Sequence, residues 1–183
     1  NETIESKIIA SLERISQAFR VLLWQESKDF SLSPIQVQVM IFLLHHSDEK
    51  KTVSYLSDEF NMNKGTSSDT IKSLEQKQLI RKIQQQHDTR SYTIHLTAKG
   101  KNIALKTSLF SKEIKTPIDR MHDDDKENLL LNLMNIIYHL NQSGVITLQR
   151  MCLTCSHYKS SANGQKHFCK LLNVPLHTTD LRV

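Results

Sequence analysis

The spacing of apolar residues along this chain of 183 residues changes between Leu79 and Leu96. Up to Leu79 they recur every three or four positions, which is typical of one face of an α-helix. From Ile80 the period of the apolar residues becomes two, and the same period of two is seen again at Tyr92 and Ile94. These two segments, one on each side of "HDTRS", are predicted to be strands that pair as a β-hairpin. With only four glycines and three prolines, the rest of the chain favours helix. We therefore expect a mainly α fold with one small hairpin.

Four helices are predicted ahead of the hairpin. The first begins at Ile4 and carries a long apolar stripe. The second has a serine N-cap, a proline at its first position and a glutamine three residues after the cap in Ser33–Gln36, and should run to about His46. Thr52 caps a short third helix, and a turn of asparagines leads into a fourth over residues 64–77.

Two further helices are predicted after the hairpin. Thr97 caps the first of them, which we expect to continue through Leu105 until Pro117 interrupts or bends it. The last helix begins near "DDDKENLL", where Asp124 and Glu127 have the spacing of a capping box. The chain therefore has long amphipathic helices near both ends of residues 1–141, with no obvious partner in the central part.

Positive charge is concentrated in one segment of the sequence. The segment from Lys64 to Lys106 contains nine basic and three acidic residues, which gives it a charge of +6, whereas the rest of the chain carries −1. Such a surface is suited to a polyanion, although an ordinary solvated face has the same composition. No apolar run is long enough to cross a bilayer and no secretion signal is recognisable, so we expect a cytoplasmic protein that does not bind membranes.

The order of helices followed by a basic hairpin is that of a winged helix-turn-helix. Two stretches make the sequence resemble the MarR family of transcription regulators, and the resemblance covers about residues 1–141. "HDTRSYTIHLTAKG" is similar to the family's wing motif, and "SLEQKQLIRK" is similar to the end of its recognition helix. The resemblance implies a homodimer built from the first and last helices, which reads a roughly palindromic operator with half-sites about 10 base pairs apart.

The resemblance also implies which residues contact DNA. Asp88 and Arg90 correspond to the wing pair, with Arg90 entering the minor groove and Asp88 orienting it. An alternative for Arg90 is a simple charge at the hairpin tip, held in a salt bridge. Asp69 departs from the family, which often has arginine there, so the operator sequence does not carry over. Outward positions of the recognition helix are available for bases and phosphates: Lys64, Thr66, Ser68, Asp69, Lys72 and Ser73.

All three cysteines lie in the tail, in "MCLTCSHYKSSANGQKHFC". Cys152-x-x-Cys155 has the spacing of a metal knuckle, and Cys169 offers a third thiolate, each at about 2.3 Å from a zinc ion. In a reducing compartment such a group favours metal binding or redox sensing over disulfides. His167 is the nearest candidate for a fourth ligand, and His157 and His177 are others. The tail also resembles a cysteine-rich extension of some such regulators, which implies a further cysteine soon after "LRV".

The sequence thus predicts a dimerisation helix over 1–32, a winged helix-turn-helix over 33–100, further dimerisation helices over 101–141 and a metal-binding tail over 142–183. We expect a DNA-binding repressor that responds to a small ligand or to a redox or metal state, with zinc as cofactor or, alternatively, an iron–sulfur cluster. The other readings are a thiol or iron–sulfur redox protein and a zinc-stapled interaction module. No phosphate loop, paired-carboxylate spacing or nucleophile motif points to an enzyme.

Overall fold

The computed structural model describes residues 3–85, 88–146, 151–161 and 166–183, and the side chains of 85–91 are outside that description. The chain divides into two compact units, Asn1–Lys115 and Thr116–Val183. None of the helices described is long and apolar enough to cross a membrane. The helices and strands are α1 (Ile4–Asp29), α2 (Pro34–His45), α3 (Val53–Glu59), α4 (Lys64–Gln76), β1 (Ile80–Gln85), β2 (Asp88–Leu96), α5 (Ala98–Thr107), α6 (Lys112–Asp119), α7 (Asp123–Gln142), β3 (Tyr158–Ser160), β4 (His167–Cys169) and β5 (Val174–Leu176).

The core of the first unit is built around α2, which is apolar on nearly every side. A helix with that pattern must be surrounded by other elements. Val37, Val39 and Met40 are completely buried, and they lie in one cluster with apolar residues from the elements around them. The residues contributed by α3, α4, the turn after α4 and the hairpin are Leu56, Ile71, Leu74, Leu79, Ile80 and Ile94. The mainly α fold with one hairpin is therefore confirmed for this unit.

The predicted starts of the helices before the hairpin are confirmed by their capping contacts. The Ser33 hydroxyl accepts the backbone N–H of Gln36 at 3.3 Å, and the Gln36 side chain accepts the Ser33 N–H at 3.1 Å. Thr52 caps α3, and Asn63 caps α4. These side chains satisfy backbone donors that have no partner inside the helix, so they define where each helix begins.

The segment after the hairpin differs from the prediction. The helix that Thr97 caps ends at Thr107, a 3₁₀ turn follows over Ser108–Ser111, and Pro117 lies inside the next helix. The hydroxyl of Thr107 donates to the carbonyls of Ile103 and Ala104, an arrangement that bends helices. The helix therefore breaks about ten residues earlier than predicted.

The capping box predicted at Asp124 and Glu127 is also wrong. α7 begins at Asp123, and the N-cap position belongs to His122, whose side chain makes no capping hydrogen bond. Asp124 instead lies in the first turn with two other aspartates, where negative charge is favourable at the positive end of the helix dipole.

The start of α5 and the turn before the hairpin are joined by close contacts between their backbones. β1 and β2 pair antiparallel from Ile80 opposite Leu96, and the register shifts after Gln84. Thr97 donates from its backbone N–H to the Leu79 carbonyl at 3.0 Å and from its hydroxyl to the Gln78 carbonyl at 2.8 Å. A Cβ at Gly100 would be 1.9 Å from the Leu79 carbonyl oxygen, so only glycine fits there. The "LTAKG" stretch is thus the joint between the hairpin and α5.

The second unit contains a small sheet that the sequence patterns did not predict. β3, β4 and β5 pair antiparallel in that order, and each strand is three residues long. Met134 of α7 is completely buried against Met151 and Leu181. Leu130 and Ile137, two members of the apolar stripe on this helix, also pack into that cluster. Part of the stripe assigned to dimerisation is therefore covered by the tail itself.

Candidate nucleic-acid interface

One face of α4 is exposed and polar, and the opposite face is buried. Ile71 and Leu74 anchor the buried face, and the Ser67 hydroxyl accepts a hydrogen bond from that of Ser57 on α3 at 2.9 Å. Five of the six positions predicted to face DNA are exposed on the other side: Lys64, Thr66, Ser68, Asp69 and Lys72. This face combines donors, acceptors and two cations, as base edges and phosphates require. Contact of these residues with DNA stays a prediction.

Ser73 differs from the other five because it is half-buried and already has a protein partner. Its hydroxyl accepts a hydrogen bond from the Nε2 group of Gln36 at 2.9 Å. Lys77, one turn further along, donates from Nζ to the Gln36 Oε1 atom at 3.2 Å and to the Ser31 carbonyl at 2.6 Å. The structure therefore places Ser73 between α4 and α2, away from the exposed face.

The hairpin is connected to α4 by Lys82, a residue that sequence reasoning did not single out. Its Nζ atom is 2.7 Å from the Glu75 carboxylate and 5.1 Å from the centre of the Tyr92 ring. Asp88 and Arg90 lie in β2, but their side chains fall outside the described residues. The predicted roles of these two residues in the wing stay predictions.

The loop before α3 contacts the hairpin from the other side. The backbone N–H of Ile94 donates to the Lys51 carbonyl at 2.8 Å, so residue 51 extends the sheet locally. Nearby, Nδ1 of His95 is 3.8 Å from the Asp48 carboxylate. A hydrogen bond from Lys51 lowers the pKa of Asp48 from its usual value. The hairpin is thus fixed to the helical body at its base.

A cleft of about 490 Å³ opens between α1 and α2 in the first unit. Trp24, the single tryptophan of the chain, forms one wall and is half exposed. Arg20 provides a cation at the edge, and the remaining lining is contributed by Val21, Leu23, Pro34 and Gln38. An aromatic wall beside a cation is a combination that suits a small aromatic anion.

The cysteine segment is held to the end of the chain by its backbone. Cys152 donates its N–H to the Arg182 carbonyl at 3.0 Å, and the Arg182 N–H donates to the Cys152 sulfur at 3.3 Å. The turn from Cys152 to Cys155 is closed by a backbone hydrogen bond of 3.0 Å, and Cys169 pairs with Tyr158 across the sheet. Cys155 is exposed and the other two cysteines are half-buried.

His167, the predicted fourth ligand, is buried and already hydrogen-bonded. Its Nδ1 atom is 2.6 Å from the Tyr158 hydroxyl. Burial raises the pKa of Tyr158, and the charge on Cys152 adds to this effect. Within the described ranges, no group of three or more His, Cys, Asp or Glu side chains is arranged to hold a metal ion. Metal binding by Cys152, Cys155, Cys169 and His167 therefore stays a prediction.

The order and packing of α2, α3, α4 and the hairpin are those of a winged helix, and comparison with known proteins agrees. Residues 32–100 match the family described as "Winged helix DNA-binding domain". Over 98 residues, which are 54% of this chain, the sequence is 26% identical to the HTH-type transcriptional regulator SarZ of Staphylococcus haemolyticus. That match spans 66% of the regulator's own length, just under two thirds.

Solved structures show the same fold. A Staphylococcus aureus MepR–DNA complex matches with a TM-score of 0.62 and 22% identity over 76% of this chain and 100% of its own. The transcriptional regulator PA3341 matches with a TM-score of 0.60 and 21% identity over 74% of this chain and 98% of its own. These similarities establish a winged helix fold for residues 32–100. The relatives named here are described as transcriptional regulators, and the prediction of a non-enzymatic protein for this chain stays a prediction. The cysteine-rich extension is not confirmed by these comparisons.

Proposed function

We propose that this chain binds double-stranded DNA as a homodimer and represses transcription, with α4 in the major groove and the hairpin against the minor groove or the backbone. The observation that carries the proposal is the exposed polar face of α4. That face lies in a segment of charge +6, and the helix is fixed to the hairpin through Lys82 and Glu75. One of the similar structures is itself a complex with DNA. Phosphate neutralisation by such a segment supplies much of the affinity for DNA.

The apolar residues left exposed on α1 support the dimer. Ile4 is 66% exposed and Ile8 is 49% exposed, although both lie on an amphipathic helix of 26 residues. Ile15 and Phe19 continue the same stripe with large exposed fractions. A second copy of the chain would remove this surface from water, and a two-fold axis would present two recognition helices to a roughly palindromic site.

The experiment that tests DNA binding compares Lys72→Ala and Arg90→Ala with the parent at several salt concentrations. Each substitution should weaken binding and reduce the salt slope by roughly one if its side chain contacts a phosphate. Lys159→Ala is the matched control, because Lys159 is exposed on β3 in the second unit. Binding that does not depend on salt, and that both substitutions leave unchanged, would contradict the proposal.

The cleft beside Trp24 supports control by a small aromatic anion. Because Trp24 is the single tryptophan, its fluorescence reports directly on occupancy of the cleft. Titration with a panel of aromatic carboxylates should quench or shift the emission, and Arg20→Ala should weaken the effect. Emission that no member of the panel changes would count against this site.

We also propose that the three cysteines bind a structural zinc ion. The donor chemistry fits zinc, and the backbone N–H of Arg182 donates to the Cys152 sulfur at 3.3 Å. The fit is incomplete, because the described side chains do not assemble three ligands. Elemental analysis and an absorption spectrum of anaerobically purified protein test it. One zinc per chain without visible absorbance supports the proposal, iron with visible absorbance indicates a cluster, and the absence of both leaves free thiols.

A further inference from the structure

We infer that Gln36 is a positioning residue that sets the orientation of α4 on α2, and so determines how selectively the protein reads its operator. The inference rests on the proposed DNA binding. Its basis is the buried side-chain amide of Gln36 on α2, which is hydrogen-bonded to α4 and to the loop before α2. Gln36 itself lies outside the exposed face of α4.

Three of the four hydrogen-bonding positions of the Gln36 amide are occupied. Oε1 accepts the Ser33 N–H at 3.1 Å and the Lys77 ammonium at 3.2 Å, and Nε2 donates to the Ser73 hydroxyl at 2.9 Å. Two donors meet the atom assigned as oxygen, which settles the orientation of the amide. Gln36 is only 7% exposed, so an alternative orientation would leave polar groups buried without partners.

The amide acts on the part of α4 that bears the DNA-facing side chains. Ser73 follows Lys72 directly and lies four residues after Asp69, so these side chains move together with any rotation of the helix. Lys77 adds a second connection, since its ammonium also donates to the Ser31 carbonyl. On the opposite side Lys82 holds Glu75 to the hairpin. α4 is therefore fixed from both sides.

A change in this orientation affects base contacts and phosphate contacts differently. Base-edge hydrogen bonds depend on the angle and distance of each side chain, whereas phosphate contacts are chiefly electrostatic and tolerate displacement. Losing one well-placed base contact reduces discrimination by roughly ten- to hundredfold. Removing the Gln36 amide should therefore lower selectivity much more than overall affinity for DNA.

The test first selects a preferred duplex for the parent protein from a random pool. Kd is then measured on that duplex and on a scrambled duplex of equal composition. Gln36→Met keeps the side-chain volume without the amide, and Ser73→Ala removes the partner and covers the case in which the first variant fails to fold. Gln142→Met and Ser160→Ala are matched controls, because both residues are exposed and lie outside α2 and α4.

Both test variants should reduce the ratio of the two affinities by about tenfold or more, with the scrambled duplex and the salt slope unchanged. Gln36→Glu should restore most of the ratio, because a carboxylate accepts from Ser33 and Lys77 and the Ser73 hydroxyl can rotate to donate. An unchanged ratio would overturn the inference, as would an equal loss on both duplexes with a lower melting temperature. A parent that selects no duplex and binds neither would overturn the proposed function and this inference with it.

Discussion

The two units of this chain differ in how much of their structure depends on contacts between residues far apart in sequence. In the first unit the helices begin at side-chain caps three residues from their partners, and a large apolar cluster forms around α2. The described part of the second unit includes the long helix α7, three strands of three residues each and a cluster with three buried apolar residues. A small core of this kind seldom stabilises a domain without a metal or another staple. The second unit, which has the smaller core, should therefore depend on such a staple more than the first unit does.

Substitution of one core residue in each unit gives the largest expected effects. Leu74→Ala and Met134→Ala each delete a completely buried side chain, and each should cost about 2–5 kcal/mol. If the units are independently stable, hydrogen exchange will show faster opening of residues 1–115 in the first variant and of 116–183 in the second. Faster exchange in both units for either variant would mean that the two units fold as one body and are not independently stable.

The elements that sequence predicted well are those defined by local signals. Ser33, Thr52 and Asn63 are followed within three residues by the N–H groups that they cap, so the pattern alone located α2, α3 and α4. The hairpin was visible for the same reason, because its strands are six and nine residues long and show a period of two. Each signal is complete within about ten residues.

The elements that were missed depend on more distant partners. Strands of three residues show no recognisable period, so β3, β4 and β5 could not be predicted. The break after Thr107 depends on hydroxyl groups that bond back to carbonyls, which an apolar stripe does not reveal. Ser73 was assigned to the outward face because its partner, Gln36, lies 37 residues earlier. Only the packing of α4 on α2 brings these two side chains together.

Gly100→Ala tests the joint between hairpin and body, and should be the next largest effect. The new methyl group would be 1.9 Å from the Leu79 carbonyl oxygen, so the backbone must move, at a cost of about 1–3 kcal/mol or more. DNA binding should weaken too, because the wing moves with this joint. Gly144→Ala is the comparison in the second unit, where nothing lies within 4 Å and φ is +76°. Its cost should be about 1 kcal/mol, from the left-handed backbone alone. Denaturant unfolding measures both, and equal losses would contradict the steric explanation.

Removal of a cap should have a smaller effect, and should again separate the units. Ser33→Ala deletes the hydroxyl that caps α2 and should cost about 1 kcal/mol. Asp180→Ala deletes the carboxylate that accepts the His177 N–H at 2.8 Å in an exposed 3₁₀ turn of the tail. Because that turn is short and solvated, Asp180→Ala should lower the free energy of unfolding less than Ser33→Ala does. Thermal melts decide the order, and a greater loss for Asp180→Ala would show that the tail depends on local caps after all.

The smallest effect is expected for the ion pair that joins the hairpin to α4. Lys82 and Glu75 are 2.7 Å apart, but their side chains are 32% and 41% exposed, so solvent screens most of the attraction. Lys82→Met keeps much of the packing over Tyr92 and should lower the free energy of unfolding by less than about 1 kcal/mol. The difference between parent and variant should vanish in 1 M salt, where the screening length is roughly 3 Å. Lys159→Met, an exposed lysine of the tail, should change nothing at either salt concentration. A larger loss of stability that persists in high salt would mean that Lys82 acts through packing on Tyr92. The hairpin would then be held to α4 by this packing and not by the ion pair.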